Sequence, residues 1–350
     1  MNRLTATLLF LCAAILATPA QASVITMSWT PIGNPGNAAD TTGYGSVPYS
    51  YNIGTYDVTE GQYVAFLNSN DPNGTDPLGL YNTGMTNYGG VTFNSGNANG
   101  SMYSVVSGDG QLPINCVTWY DTIRFANWMN NGQPVFATEP TATNNATENG
   151  AYTLLGFTPT PSNGNSITRN NGATVVLPSE NEWYKAAYYN PATQSYFTYP
   201  TSSNTAPTAT TPTSTPNSAN YDDAVGDGFD PSAALTAVGA YLGTTSPYGA
   251  YDMGGDVWQW NEELYVDGES RDVRGDSFDG VGGYMESSFS SDDDPSDGYF
   301  SIGFRVASVP EPSSFLLALI GCGAAILLRK RVRAALLIRR PGGRPPEPVL

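Results

Sequence analysis

Apolar residues recur at helical spacing in three short segments of the chain. Thr59 and Gln62 form the capping-box pattern that starts a helix, and an apolar stripe follows them. Ser179 and Glu182 repeat this pattern before a second stripe. Between them, the spacing of apolar residues predicts a helix over residues 119–130, which an Asn-Gly pair ends.

Short alternating or apolar stretches predict strands elsewhere in the chain. We expect strands within residues 46–56, 100–106, 112–117 and 175–178. Residues 133–173 have the pattern of a hairpin or a long loop. Residues 201–219 consist of Thr, Ser, Pro, Ala and Asn, which predicts a low-complexity surface insertion; a linker between two domains is the alternative.

The composition agrees with a chain of many loops. The 350 residues include 38 Gly and 26 Pro, and only 13% are charged. This mixture favours short strands and irregular structure over a helical bundle. The length fits one large domain or two small ones.

The missing histidine excludes several kinds of chemistry. With no His and three Cys, the chain cannot form a Ser-His-Asp or Cys-His pair, a His-ligated metal site or a four-Cys zinc site. Residues 23–308 contain 29 of the 31 acidic residues but only six of the 14 basic ones. Such a surface repels nucleic acid and suits cations, calcium in particular, although solubility alone is an alternative explanation.

Both ends of the chain have the patterns of targeting segments. A basic start, an apolar run and the sequence Ala20-Gln21-Ala22 predict a signal peptide over residues 1–22, with a retained transmembrane helix as the alternative. Residues 309–333 combine Val-Pro-Glu-Pro-Ser, an apolar stretch and a basic cluster, and they resemble a PEP-CTERM sorting signal. That resemblance implies recognition by an exosortase-type membrane protease and membrane contact through the apolar helix before processing. Residues 334–350 form an atypical tail.

These segments predict an exported protein, at the cell envelope or outside the cell. Cys12 then leaves with the signal peptide and Cys322 lies in the apolar anchor, so Cys116 is the one thiol of the exported domain. No disulfide can form within that domain. We expect Cys116 to be a packed small apolar residue, with a nucleophile as the alternative.

Six strings in the exported part match one family in order and spacing. They lie at residues 53–66, 112–128, 177–187, 251–260, 274–278 and 303–306. They resemble the formylglycine-generating enzyme (sulfatase-modifying factor) domain, over a single domain of residues 23–308. The resemblance implies an α+β fold related to C-type lectins, rich in loops, with short strands and few helices.

Enzymes of this family use a Cys pair and copper to oxidise a substrate cysteine. The pair lies between the strings at 274–278 and 303–306, and here residues 279–302 contain no Cys. Serine cannot replace it, since copper(I) requires soft thiolate ligands. Formylglycine synthesis and copper binding are therefore not expected.

The resemblance also implies two structural calcium sites, whose oxygen ligands suit this ion. The first comprises the side chains of Asp252 and Gln259 with the carbonyls of Gly255 and Val257. The second comprises the side chains of Asn220 and Asp227 with the carbonyls of Tyr221 and Phe229. The alternative for residues 252–260 is a turn and a buried strand with packed tryptophans.

Three functional hypotheses follow. The first is a non-catalytic domain that binds a glycan or another surface polymer, a ligand class that the lectin-related fold suggests only by analogy. The second is an oxidoreductase of the family with relocated chemistry, which would depend on Cys116. The third is a matrix protein in which calcium only stiffens loops.

Overall fold

A computed structural model describes residues 24–226 and 231–310 of the chain. The predicted signal peptide, nearly all of the predicted sorting signal and the C-terminal tail lie outside the described residues. So do Asp227 and Phe229 of the second predicted calcium site.

Capping hydrogen bonds fix the starts of the three longest helices. Thr59, Thr118 and Ser179 each accept a hydrogen bond from the backbone of the third helical residue, whose side chain accepts one in return. The boxes at Thr59 and Ser179 confirm the sequence prediction, and the box at Thr118 was not anticipated. The helices are α1 (Glu60–Asn70), α2 (Gly84–Asn87), α3 (Trp119–Asn130), α4 (Glu180–Tyr188) and α5 (Pro231–Ala234).

The strands are short, as the composition predicts. They are β1 (Trp29–Ile32), β2 (Tyr51–Gly54), β3 (Val91–Phe93), β4 (Tyr103–Val105), β5 (Val175–Val176), β6 (Tyr189–Asn190), β7 (Ser195–Tyr196), β8 (Thr208–Ala209), β9 (Ser218–Ala219), β10 (Trp258–Leu264), β11 (Arg271–Arg274), β12 (Ser291–Asp293), β13 (Ile302–Gly303) and β14 (Ala307–Ser308).

Two four-stranded sheets organise the domain. The first has the order β1-β2-β14-β5 and is antiparallel throughout, so the last strand lies between two early ones. The second has the order β12-β11-β10-β13, and its β10–β13 pair is parallel. Three separate pairs, β3-β4, β6-β7 and β8-β9, complete the strands.

Large aromatic side chains fill the core beside β10. Trp119 and Trp260 are fully buried. The indole nitrogen of Trp119 donates to the carbonyl of Asn261 at 2.8 Å, and that of Trp260 donates to the carbonyl of Val117 at 3.0 Å. Because a buried indole N–H needs an acceptor, these bonds fix α3 against the second sheet.

The predicted strand over residues 112–117 is wrong. Only Pro113 forms a bridge there, with Thr59. Cys116 has a φ of 55°, which no extended strand permits. The side chain of Asn115 holds the segment instead, by donating to the carbonyls of Tyr88 and Phe300 at 2.9 and 2.8 Å. The strand expected within 46–56 is also shorter than predicted, because it covers only β2.

The Thr/Ser/Pro-rich segment 201–219 contributes one small ladder. Its strands β8 and β9 pair in parallel. Ser218 and Ala219 at its end are buried, while most residues from 210 to 216 are exposed. Residues 133–173 form a long loop with isolated bridges and a 3₁₀ turn at Gly164–Ser166.

The architecture is α+β, as predicted: a loop-rich domain with few helices and many short strands. In the described part of the chain, none of the helices has the length and apolar character needed to cross a bilayer.

The capping box of α3 is open to a direct test. Thr118→Ala removes the acceptor for the Asp121 backbone N–H, so the free energy of unfolding should fall by about 1 kcal/mol in urea denaturation. Thr211→Ala, at an exposed position of the insertion, is the control and should change it by less than about 0.5 kcal/mol. Equal effects of the two substitutions would contradict a capping role.

Candidate functional site

Three aromatic side chains form a partly exposed platform beside the start of β10. Tyr284 and Phe289 stack with ring centroids 4.6 Å apart and ring planes 28° apart. Trp258 lies 6.1 Å from the ring of Tyr284 and 6.2 Å from that of Phe289. Tyr284 is 41% exposed, and the other two rings are half-buried. We call Trp258, Tyr284 and Phe289 the aromatic platform.

A buried ion pair holds the loop of the platform. Arg274 on β11 donates through Nη1 to the carbonyls of Ser287, at 3.2 Å, and Phe289. Its Nε donates to Glu180 on α4 at 2.8 Å. The ion pair thus anchors the platform to a helix and a strand. Burial, together with the neighbouring carboxylate of Glu180, raises the pKa of Asp272 well above its usual range.

A separate cleft of about 440 Å³ lies beside Cys116. Asn82, Gly84, Tyr88 and residues 296–300 line this cleft together with Cys116. Cys116 as a whole is only 1% exposed. Burial, and to a smaller extent the charge of Glu60, raises the pKa of Cys116 to about 12. At neutral pH the group is a neutral thiol, which is neither a good nucleophile nor a metal ligand.

Gln259, at the first predicted calcium site, belongs to a buried hydrogen-bond network. Its Oε1 accepts from the indole nitrogen of Trp183 at 2.7 Å and from Nε of Arg305 at 2.6 Å. Its Nε2 donates to the carbonyl of Asp252 at 2.7 Å. Both oxygen lone pairs are therefore used, and a guanidinium cation lies against them. Gln259 does not fit the role of a calcium ligand in this arrangement.

The predicted ligand oxygens of Asp252 and Gly255 also accept hydrogen bonds. The carboxylate of Asp252 accepts from the Gly239 backbone at 2.6 Å, and burial raises the pKa of Asp252 to about 6. The carbonyl of Gly255 accepts from the backbone of Val257 at 2.9 Å. In this arrangement, Asp252, Gly255 and Gln259 each use a predicted ligand oxygen to accept a hydrogen bond.

Asn220 of the second predicted site fits an oxygen ligand better. It is 1% exposed, and its Oδ1 has no hydrogen-bond partner among the described residues. Its Nδ2 donates to the Ala234 carbonyl at 2.7 Å and to Asp256 at 2.8 Å, which leaves the oxygen as the free end. The carbonyl of Tyr221 accepts from Ala224 at 3.2 Å.

Asp256 links the two predicted sites, but the sequence prediction did not include it among their residues. Its carboxylate accepts from Asn220 and, at 2.9 Å, from the hydroxyl of Thr236. Burial raises its pKa to about 7. Its position between Gly255 and Val257, both predicted ligands, was the available signal.

Arg305 is the second residue that sequence reasoning did not assign. It is fully buried and donates to Asp57 at 3.0 Å and to the carbonyls of Gly54, Tyr251 and Asp252 at 2.9 to 3.1 Å. A charged residue inside the apolar string 303–306 was its signal, because a buried guanidinium requires several acceptors.

Residues 21–309 match the model of the Sulfatase-modifying factor enzyme 1-like domain, and the chain belongs to this family. Among curated proteins, none matches the chain significantly.

Three solved structures are similar to the chain at low identity. CarF is 20% identical with a TM-score of 0.48, over 82% of this chain and 100% of its own. Treponema denticola variable protein 1 is 18% identical with a TM-score of 0.45, over 84% of this chain and 100% of its own. PvdO from Pseudomonas aeruginosa is 16% identical with a TM-score of 0.37, over 81% of this chain and 92% of its own.

We expect Asp276 to make the stability of the domain depend on pH. It is fully buried with a φ of 67°, and burial raises its pKa to about 8. Its Oδ1 accepts from the Ser277 backbone at 2.8 Å, while Oδ2 has no partner among the described residues. Since the unfolded pKa is about 4, between pH 4 and 8 only the folded state keeps the proton, and stability falls as pH rises through this window.

We therefore expect Asp276→Asn to flatten the pH profile. The loss of unfolding free energy between pH 5 and pH 8 should shrink by on the order of 3 kcal/mol, because Asn does not ionise and tolerates a positive φ. Urea denaturation at both pH values measures this difference. Asp267→Asn, at an exposed carboxylate, is the control and should leave the profile unchanged. An unaltered profile in Asp276→Asn would contradict the assignment.

Proposed function

We propose that the protein is an exported, non-catalytic member of its family that binds a glycan or another surface polymer at the cell envelope or in the extracellular matrix. The predicted signal peptide and the resemblance of residues 309–333 to a PEP-CTERM signal support the export, with an exosortase-type protease as the partner during sorting. Structural calcium near Asn220 is part of the proposal, and its support is the buried amide oxygen, which has no hydrogen-bond partner among the described residues.

The distribution of thiols argues against catalysis. Residues 279–302, where enzymes of the family carry their Cys pair, contain no Cys. Cys116 is buried, and its raised pKa keeps it protonated. Copper-dependent oxidation of a substrate cysteine needs thiolate ligands that this domain does not offer.

The stacked pair of Tyr284 and Phe289 is the observation that carries the binding proposal. An exposed aromatic surface offers a broad apolar face, and Tyr adds a hydroxyl at its edge. Sugar rings present C–H faces that pack against such surfaces and hydroxyls that need polar partners. Glu286 lies in the same loop, with its carboxylate accepting from the hydroxyl of Tyr199 at 2.8 Å. The platform is an open surface, which suits a polymer better than a small enclosed ligand.

A second function is favoured by the cleft beside Cys116, namely an oxidoreductase of the family with relocated chemistry. The cleft is large enough for a side chain of a peptide substrate, and Cys116 lies in its wall. This function would require a partner that lowers the thiol pKa on binding.

Substitution of the platform tests the binding proposal. In a screen of glycans and surface polymers by calorimetry, Tyr284→Ala should weaken binding of the best ligand roughly tenfold, which corresponds to about 1.4 kcal/mol. Tyr299→Ala is the matched control, because Tyr299 is 52% exposed but lies outside the platform. Binding that depends on Tyr299 and not on Tyr284 would refute the platform as the site.

Cys116→Ser separates the two functions. We expect no oxygen consumption with copper and a cysteine-containing peptide from either the original protein or the variant, and equal polymer binding by both. Turnover by the original protein that disappears in Cys116→Ser would replace the binding proposal with the oxidoreductase.

A further inference from the structure

The start of helix α1 contains a fully buried carboxylate that has no cationic partner. Glu60 is 0% exposed, and its Oε1 accepts from the Gly90 backbone at 2.6 Å. Its Oε2 has no hydrogen-bond partner among the described residues. None of the ion pairs in residues 24–226 and 231–310 includes Glu60. Burying such a charge is costly unless another group compensates it.

A second unpartnered oxygen points to the same place. Asn115 is 0% exposed, and its Oδ1 has no partner within the described structure. Both hydrogen-bonding directions of its Nδ2 are used on the carbonyls of Tyr88 and Phe300. The orientation of the amide is therefore fixed, and the oxygen is the end left without a donor.

These oxygens approach the backbone of two adjacent glycines, Gly89 and Gly90, closely. A methyl group built on Gly89 would lie 2.8 Å from Glu60 Oε1, 2.8 Å from Asn115 Oδ1 and 3.0 Å from the carbonyl oxygen of Met85. A methyl group on Gly90 would collide with Glu60 Oε2 and lie 2.8 Å from Asp109 Oδ2.

The chemistry of this oxygen cluster selects its ligand. Two carboxylates, an amide oxygen and a carbonyl oxygen come from four parts of the chain, and all of them are acceptors. Hard divalent cations bind such mixed oxygen sets, and calcium tolerates their irregular geometry better than magnesium does. Thiol or imidazole ligands, which softer metals prefer, are not needed here.

We propose that Glu60, Asp109 and Asn115 bind a calcium ion at the Gly89–Gly90 turn. This site is separate from the two sites at residues 220–229 and 252–259. The ion would tie the start of α1 to the 3₁₀ turn at Asp109–Gln111 and to the segment after α2. It would also fix Tyr88, which lines the cleft beside Cys116.

Calcium titration of the full chain tests the proposal. Calorimetry and thermal unfolding are measured with Ca²⁺ and with EDTA for the original protein, Glu60→Gln and Asp109→Asn. Each variant should lose one calcium equivalent, or bind it at least tenfold more weakly, and should show a smaller rise in Tm on adding Ca²⁺. Asp109→Asn keeps the test usable if Glu60→Gln fails to fold, because Asp109 is only half-buried.

Two controls make the outcome specific. Asp267→Asn, at an exposed acid, should keep every calcium equivalent and the full rise in Tm. Asp252→Asn reports on the first predicted site, so it should not remove the equivalent that depends on Glu60. Two outcomes would overturn the proposal and identify Glu60 as a buried neutral acid. In the first, Glu60→Gln and Asp109→Asn bind as much Ca²⁺ as the original protein. In the second, the difference in Tm between each variant and the original protein is the same in Ca²⁺ as in EDTA.

Discussion

The hydrogen-bond network of the buried Arg305 guanidinium is the interaction on which the rest of the domain depends. It joins Asp57, the carbonyl at the end of β2, the turn at residues 251–252 and the side chain of Gln259 on β10. These partners come from both four-stranded sheets and from chain segments up to 251 residues apart. Removing one partner of such a pair leaves an uncompensated buried charge, which typically costs 3–5 kcal/mol. In a domain with short strands, this network adds side-chain hydrogen bonds between two sheets that share no ladder.

The same network explains what the sequence could and could not predict about the site. The resemblance brought Asp252 and Gln259 to attention, and the structure places them within one hydrogen-bonded unit. Their roles depend on Arg305 and Trp183, which are distant in sequence, so no local pattern revealed that the Gln259 oxygen is occupied. The contact between Asn220 and Asp256 was equally hard to predict, because only the folded chain brings these two residues together.

Local signals predicted the helices well. The boxes at Thr59 and Ser179 act within four residues, so their outcome follows from the sequence alone. The strand prediction for segment 112–117 was wrong for the opposite reason. Its apolar pattern is typical of a strand, but Cys116 takes a left-handed conformation and Asn115 bonds to Tyr88 and Phe300, contacts that lie up to 185 residues away. Tertiary contacts there override local propensity.

The order β1-β2-β14-β5 has a consequence for how the domain is made. Because β14 inserts between β2 and β5, a nascent chain that has not yet released residues 307–308 exposes two unpaired strand edges. Arg305 arrives equally late, so Asp57 has no counter-charge until then. Closure of the first sheet must therefore follow synthesis of almost the entire domain, and the chain depends until that moment on whatever shields its open edges from other chains.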